Sequence, residues 1–144
     1  MRTAAEMTEL YRQKGLKITP QRQCIFGILE ANTTHPTADA IYESALETMP
    51  SISRKTVYTV LHELNELGEL LTLDVGTGSL RFDPNVERHH HTVCRKCGSV
   101  GDVRGIDTAR VRMPASEQVG FEVEETEVIF RGICKLCRPK GRKS

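Results

Sequence analysis

Four of the five cysteines in this sequence form two pairs, each with two residues between its members. The pairs are Cys94 with Cys97 and Cys134 with Cys137. Thiolates at this spacing can hold one metal ion from a tight turn, and two such turns complete the tetrahedral four-sulfur shell of a structural zinc site. We therefore predict a structural Zn²⁺ bound by these four residues. The alternatives are four unconnected thiols or a reactive dithiol.

Three consecutive histidines, His89, His90 and His91, stand just before the first cysteine pair. In an extended segment, residues two apart point to the same face, so His89 and His91 form the natural ligand pair and His90 points away. The cysteines already fill the zinc shell, so these imidazoles need another explanation. Asp83 and Asp102 lie close in sequence and could join them as ligands. The alternative is a solvated polar turn flanked by surface carboxylates.

The composition of the chain limits the classes of protein to which it can belong. Its 144 residues suffice for one ordinary domain or two small ones, and a net charge of +1 gives no overall basic signal for nucleic acid. Any contact with DNA must therefore come from a local patch. No apolar run approaches membrane-spanning length and no signal peptide is recognisable, so we expect a cytoplasmic protein with no membrane partner. In that compartment cysteines are more often metal ligands than disulfides.

The first part of the chain is typical of helices followed by a β-hairpin. Helices are predicted over Thr8–Lys14, from Thr19 and Pro20 onward, around residues 41–49, and from Ser53 to Gly68. Two strands are predicted around the turn Gly76-Thr77-Gly78. This order of elements is the layout of a winged helix-turn-helix, which we assign to residues 1–83.

The pattern changes after Pro84 to short elements. Strands are predicted around residues 92–93 and 99–103, and one or two more within the segment FEVEETEVIF. A helix is predicted from about Asp107 to Gln118, although Pro114 interrupts it. These elements indicate a small α/β domain over residues 84–144, so that the whole chain is of the α+β class.

The helix that begins after Ser53 has a polar face opposite its apolar stripe. That face carries basic and hydroxyl side chains: Arg54, Lys55, Thr56, Tyr58 and Thr59. The hydroxyl-bearing side chains suit base edges and thymine methyl groups, and the basic ones suit phosphate or guanine. This surface is the candidate DNA contact. The alternative is a charged face that is merely solvated.

Several ordered motifs give the chain a resemblance to the ferric uptake regulator family over nearly its whole length. The motifs are GLKITPQR, HPTADAIY, SRKTVYTVLHEL, RFD, HxHxxCxxCG and GFEVEETEVIFRGICKLC. The resemblance implies a winged-helix DNA-binding domain, a C-terminal dimerisation domain with the four-cysteine zinc, and a regulatory metal site between the two domains. It also implies a homodimer on an AT-rich palindromic operator, with Tyr58 contacting bases and Lys17 reaching the minor groove.

Within the family, the chain is most similar to the peroxide-responsive branch. The sensor ligands of that branch correspond here to His35, Asp83, His89, His91 and Asp102. Asp83 favours this branch, because iron-responsive members usually carry Glu at that place. The resemblance implies that peroxide reacts at Fe²⁺ and oxidises His35 or His89, after which the metal is released. Mn²⁺ would support repression without sensing.

Many members of the family have a further metal site, and this chain is expected to lack it. The places of its ligands correspond to Arg88, His90 and Thr126, of which only the histidine is a metal-binding type. His90 alone keeps the capacity to bind an ion.

These patterns together predict a metal-dependent, dimeric transcriptional repressor that senses peroxide and is not an enzyme. The nearest alternative is a regulator of the same family that responds to iron, manganese or zinc. A zinc-dependent hydrolase is a remote alternative, because no HExxH-like element is present. A zinc-ribbon interaction module without DNA binding is the third.

Overall fold

The computed structural model describes residues 1–139 and divides the chain into two compact units. The first unit spans Met1–Glu87 and the second begins at Arg88. The division falls after Glu87 rather than at Asp83, because the chain beyond Asp83 is still bonded to the first unit. The carbonyl of Pro84 accepts a hydrogen bond from the N-terminal amine of Met1. Residues 140–144, which belong to the predicted second domain, lie outside the described part of the chain.

The first unit contains four helices: α1 (Ala4–Gln13), α2 (Pro20–Leu29), α3 (Ala38–Thr48) and α4 (Arg54–Glu66). Each helix follows a Thr or Ser whose hydroxyl accepts a hydrogen bond from a first-turn N–H: Thr3, Thr19, Thr37 and Ser53. Helix α1 begins earlier than the predicted Thr8, because Thr3 and Glu6 cap it reciprocally. The starts predicted for α2 and α4 are confirmed.

The apolar faces of the four helices pack into one core. Its fully enclosed members include Met7, Tyr11, Ile25, Phe26, Leu29, Ile41, Ala45, Val57, Leu61 and Leu64. Burial of these side chains is the main source of stability for so small a unit. Because α4 directs its apolar stripe into this core, its opposite face is left to solvent.

A short antiparallel hairpin follows α4, as predicted. Strand β1 (Leu71–Leu73) pairs with β2 (Arg81–Asp83). The connection contains Gly76 and Gly78 at φ values of 75° and 87°, which other residues adopt only with strain. Four helices with this hairpin form the winged-helix unit.

The second unit is built on a three-stranded sheet in the order β4-β3-β5. Its strands are β3 (His90–Cys94), β4 (Val100–Val103) and β5 (Ile129–Gly132). Strand β3 pairs with β4 in the antiparallel sense and with β5 in the parallel sense. Strand β3 therefore pairs on one edge with a strand that is close in sequence, β4, and on the other edge with a strand that is distant in sequence, β5.

The helix predicted over Asp107–Gln118 is wrong. The segment forms two short 3₁₀ turns, Thr108–Arg110 and Ala115–Glu117. Pro114 cannot donate a helical hydrogen bond. Val111 and Met113 remain 44% and 38% exposed, so a longer helix would gain little stability from burial of these side chains. Within FEVEETEVIF, only the end enters a strand. No helix within residues 1–139 has the length and apolarity needed to cross a membrane.

Candidate metal centres and nucleic-acid interface

The four paired cysteines converge at one end of the second unit's sheet. Cys94 ends β3 and pairs with Gly132 of β5, which brings the turn carrying Cys97 beside the turn carrying Cys134 and Cys137. All four Sγ atoms lie within 4.8 Å of one another, and those of Cys97 and Cys134 are 3.8 Å apart. A tetrahedral ion with Zn–S bonds of about 2.3 Å separates its sulfurs by about 3.8 Å. The donor set therefore fits a closed zinc site.

The surroundings of these sulfurs favour thiolates at the first pair. The backbone N–H groups of Cys134 and Cys97 donate toward Cys94 and lower its pKa to about 6. The hydroxyl and N–H of Ser99 lower the pKa of Cys97. The neighbouring sulfurs of Cys134 and Cys97 raise the pKa of Cys137 to about 12. Four thiolates at this separation need a cation between them, which a divalent metal would supply.

An imidazole and a carboxylate are held side by side in the first unit. Nε2 of His35 lies 3.2 Å from Oδ2 of Asp83, and their side chains are 1% and 2% exposed. The segment after His35 is bonded to β2, because Phe82 N–H donates to the Pro36 carbonyl at 2.9 Å. His35 itself has a φ of 50°, an uncommon left-handed conformation that recurs at functional sites. A fixed, buried nitrogen and oxygen pair of this kind suits a cation.

Two further imidazoles and a carboxylate meet in the second unit. The β3–β4 register places His91 opposite Asp102, and the two histidine rings lie 4.5 Å apart. Oδ1 of Asp102 is 3.1 Å from Nε2 of His89 and 3.9 Å from Nε2 of His91. The same nitrogen of both rings therefore faces the carboxylate. Nitrogen and oxygen donors without sulfur form this second group.

His90 is separated from that group, as the strand alternation predicts. Its imidazole is buried, and its Nδ1 accepts a hydrogen bond from the Val128 N–H at 3.1 Å. This bond ties β3 to the segment that leads into β5. His90 therefore has a structural contact of its own.

Glu127 also contacts this group, although no sequence motif points to it. Its Oε1 lies 2.8 Å from Nδ1 of His91, although the two residues are 36 positions apart. The only cue is the parallel pairing of β3 with β5, which aligns His91 with Ile129. Such long-range pairing cannot be inferred from one sequence.

The polar face of α4 is open, as expected for a surface that contacts DNA. Lys55, Tyr58 and Thr59 are exposed there, and Thr56 is half-buried. Three of these α4 residues, Lys55, Thr56 and Thr59, line a groove together with Gln21 and Arg22 of α2 and with Thr19, which caps α2. Lys17 is exposed in the loop between α1 and α2. Cationic and hydroxyl groups are thus displayed together on the first unit.

Arg54 differs from the other candidates for DNA contact, because its guanidinium has partners within the first unit. It forms an ion pair with Asp39 and lies 4.5 Å from the centre of the Tyr42 ring. A phosphate would therefore compete with Asp39 for this side chain.

Arg22 joins the loop of Lys17 to α4. Its Nε and Nη2 donate to the two carboxylate oxygens of Glu63 at 3.1 and 2.6 Å, and its Nη1 donates to the Lys17 carbonyl. The Tyr11 hydroxyl donates to the same carboxylate at 3.3 Å. Burial, and then the Glu63 charge, raise the pKa of Tyr11. This network fixes the backbone of Lys17 against the helix that bears the other candidates.

Comparison with known protein families gives one consistent match. Residues 13–131 match the ferric uptake regulator family. The peroxide-responsive repressor PerR of Staphylococcus aureus is 36% identical to this chain over 129 residues. That alignment covers 90% of this chain and 87% of the repressor.

Solved structures of similar proteins share the architecture. The ferric uptake regulator Fur of Helicobacter pylori has a TM-score of 0.78 at 19% identity, covering 96% of this chain and 93% of that one, a likeness of fold. The peroxide stress regulator of Campylobacter jejuni has a TM-score of 0.66 at 28% identity, covering 95% and 100% of the two chains. PerR from Streptococcus pyogenes has a TM-score of 0.55 at 30% identity, covering 96% and 95%.

Proposed function

Because this chain belongs to the ferric uptake regulator family, we propose that it is a metal-dependent repressor that senses peroxide. Members of the family are metal-responsive transcriptional regulators rather than enzymes, and they bind DNA and act as dimers. Their fold combines a winged-helix domain with a dimerisation domain, in agreement with the α+β architecture of this chain. Peroxide-responsive repressors among the relatives support the finer assignment to oxidative stress.

The regulatory ion is proposed to be Fe²⁺ or Mn²⁺, bound by His35, Asp83, His89, His91 and Asp102. The observation that carries this proposal is the chemistry of the two donor groups. One unit offers an adjacent imidazole and carboxylate, and the other offers two imidazoles facing a carboxylate. Nitrogen and oxygen donors without sulfur suit these ions. If the bound ion were octahedral, five such donors would leave one position open to peroxide.

Ligands drawn from both units would make the ion a conformational switch. An ion bound by both groups favours whichever arrangement of the units satisfies all five donors. It shifts the balance only by its difference in affinity for the two arrangements. About 5.5 kcal/mol of such difference would convert a 1:99 population to 99:1.

The oxidation-sensitive residues are proposed to be His35 and His89. Bound Fe²⁺ supplies the redox chemistry that transfers one oxygen atom from peroxide to an imidazole carbon, with water as the other product. An oxidised imidazole is a poorer nitrogen donor, so either residue would lose its hold on the ion. The repressor would then leave its operator. Mn²⁺, which does not readily undergo this chemistry, would maintain repression in the presence of peroxide.

The four-cysteine site is proposed to hold Zn²⁺ permanently. The separation of its sulfurs supports a tetrahedral ion with no open position, which is the arrangement of structural zinc. Such an ion would join the turn after β3 to the turn after β5. It would therefore contribute directly to the folding of the second unit.

The DNA contact is proposed to be the polar face of α4 in a major groove. Thr56, Tyr58 and Thr59 would meet base edges or thymine methyl groups, while Arg54 and Lys55 would meet phosphate or guanine. Lys17 would enter the adjacent minor groove. A homodimer would read an AT-rich palindrome, because a two-fold operator mirrors a two-fold protein. We expect such a repressor to act in the cytoplasm.

Operator binding under two metals tests the proposed function. Fluorescence anisotropy with a palindromic duplex should show binding with Mn²⁺ or anaerobic Fe²⁺ and release by EDTA. Peroxide should lower binding by the Fe²⁺ form in proportion to the amount added and leave binding by the Mn²⁺ form unchanged. Binding that survives peroxide in both forms would favour a regulator responding to iron, manganese or zinc supply. Binding that needs no added metal would contradict the switch.

A further inference from the structure

We propose that Glu127 is a positioning residue for the regulatory metal, acting through His91. Its carboxylate accepts a hydrogen bond from Nδ1 of His91 and so directs Nε2 of the same ring toward the ion. The proposal rests on the proposed function, because it takes His91 as a ligand of that ion.

The two nitrogens of His91 face different partners. Nε2 lies 3.9 Å from Oδ1 of Asp102, the same oxygen that is 3.1 Å from Nε2 of His89. Nδ1 lies 2.8 Å from Oε1 of Glu127. The Nε2 side is therefore shared with the other candidate ligands. An ion bound at Nε2 would leave the proton of the ring on Nδ1, the nitrogen that Glu127 contacts. Glu127 therefore lies on the side of the His91 ring away from the proposed ion.

The backbone around Glu127 is held to β3 by two hydrogen bonds. The N–H of His91 donates to the carbonyl of Val128 at 3.2 Å. The N–H of Val128 donates to Nδ1 of His90 at 3.1 Å. The His90 side chain therefore fixes the backbone of Val128, the residue next to Glu127. These two bonds fix the backbone beside Glu127, just before β5, and so hold this residue close to His91.

A carboxylate behind a ligand imidazole has two effects on metal binding. It selects the tautomer with the proton on Nδ1, and it makes Nε2 a stronger donor. Loss of such a partner typically weakens metal affinity by about 10–100-fold. The Glu127 side chain is 41% exposed, so water can replace part of its contribution. We therefore expect an effect at the lower end, about tenfold.

Manganese titration of the zinc-loaded dimer measures this effect. Free Mn²⁺ is followed by electron paramagnetic resonance for wild type, Glu127→Ala, Glu127→Gln and Glu125→Gln. Glu127→Ala should weaken binding about tenfold. Glu127→Gln should weaken it less, because its amide oxygen can still accept the hydrogen bond, although less strongly than a carboxylate. Glu125→Gln is the matched control, since it removes the same charge from an exposed neighbour. It should leave the affinity unchanged.

Proton NMR of the Co²⁺-loaded protein gives a readout that a loss of general stability would not produce. The Nδ1 proton of His91 should appear as a paramagnetically shifted signal that exchanges slowly with water. Glu127→Ala should accelerate its exchange, whereas the corresponding signal of His89 should persist. Glu127→Gln keeps the size of the side chain and should show an intermediate exchange rate.

The outcomes separate this proposal from the function on which it rests. If Glu127→Ala binds Mn²⁺ as tightly as wild type and keeps the slow proton, the positioning role is wrong and the repressor assignment stands. Complete loss of binding in Glu127→Gln would make Glu127 a ligand, which also overturns the proposal. If wild type binds no Mn²⁺ beyond the His91→Ala variant, the proposed regulatory site is itself wrong.

Discussion

His90 and His91 are adjacent in the sequence, but the alternation of strand β3 gives them different environments. His91 faces Asp102 and Glu127, whereas His90 accepts a backbone hydrogen bond from Val128. One residue is thus a candidate ligand, and the other connects two segments of the second unit. Residue type alone does not distinguish them. Their alternate positions along strand β3 distinguish them.

Separate alanine substitutions should distinguish the two histidines. His91→Ala should abolish Mn²⁺-dependent operator binding, because it removes a proposed ligand. His90→Ala should leave operator binding intact at saturating Mn²⁺ but lower the free energy of unfolding by about 1 kcal/mol, since the Val128 N–H loses its acceptor. Anisotropy and urea denaturation measure the two properties. A His90→Ala protein that stays unable to bind DNA at any Mn²⁺ concentration would contradict the division of roles.

The cysteine cluster makes a prediction about metal content. Cys137→Ala removes one of four sulfurs that lie within 4.8 Å of one another, so the purified protein should lose its zinc and the second unit should unfold. Cys24→Ala is the control, because Cys24 packs against the helical core of the first unit. It should retain zinc. Elemental analysis and circular dichroism provide the measurements, and full zinc in Cys137→Ala would refute the four-sulfur site.

At the scale of elements, the two faces of α4 have different roles: the apolar face contributes to stability, and the polar face is proposed to contact DNA. Its apolar stripe closes the core of the first unit, and its polar face remains accessible. Arg22 and Glu63 connect this helix to the loop of Lys17. The surface proposed to contact DNA is therefore supported by a bonded network beneath it.

Removal of that support should affect both stability and DNA affinity. Arg22→Ala leaves the Glu63 carboxylate without its strongest donor in a site where the two side chains are 17% and 24% exposed. We expect a loss of about 1–3 kcal/mol in unfolding free energy, together with weaker operator binding as the Lys17 loop loosens. Arg12→Ala breaks only an exposed pair with Glu9 and should cost less than about 1 kcal/mol. Equal stability of the two variants would argue against the network.

Elements with strong local signals were predictable from the sequence, and elements set by distant pairing were not. Thr19 with Pro20 predicts the start of α2, and Ser53 predicts the start of α4, because capping and proline geometry act within one turn. The sequence predicts a helix around Pro114, but the segment is exposed and forms only two short 3₁₀ turns. The β4-β3-β5 order and the approach of Glu127 to His91 depend on a parallel pairing of strands whose partners, such as His91 and Ile129, lie 38 positions apart. Local periodicity contains no information about such a pairing.

At the scale of the molecule, the candidate ligands of the regulatory ion divide between the units, two in the first and three in the second. A net charge of only +1 gives the chain little general attraction for DNA. Control by metal is therefore proposed to act through the arrangement of the two units. Each unit brings an incomplete donor group, so neither alone would bind the ion tightly. If both groups bind the proposed ion, operator affinity should be sensitive to the loss of a single imidazole.

Peptide mass spectrometry of the Fe²⁺-loaded protein after sub-stoichiometric peroxide tests the central claim most directly. Operator binding is followed on the same samples, and the Mn²⁺-loaded protein is the control. The proposed mechanism predicts one added oxygen atom on His35 or His89, in proportion to the loss of operator binding, and neither change with Mn²⁺. Loss of DNA binding with both histidines unmodified, or persistent binding after their oxidation, would contradict peroxide sensing through the ligands.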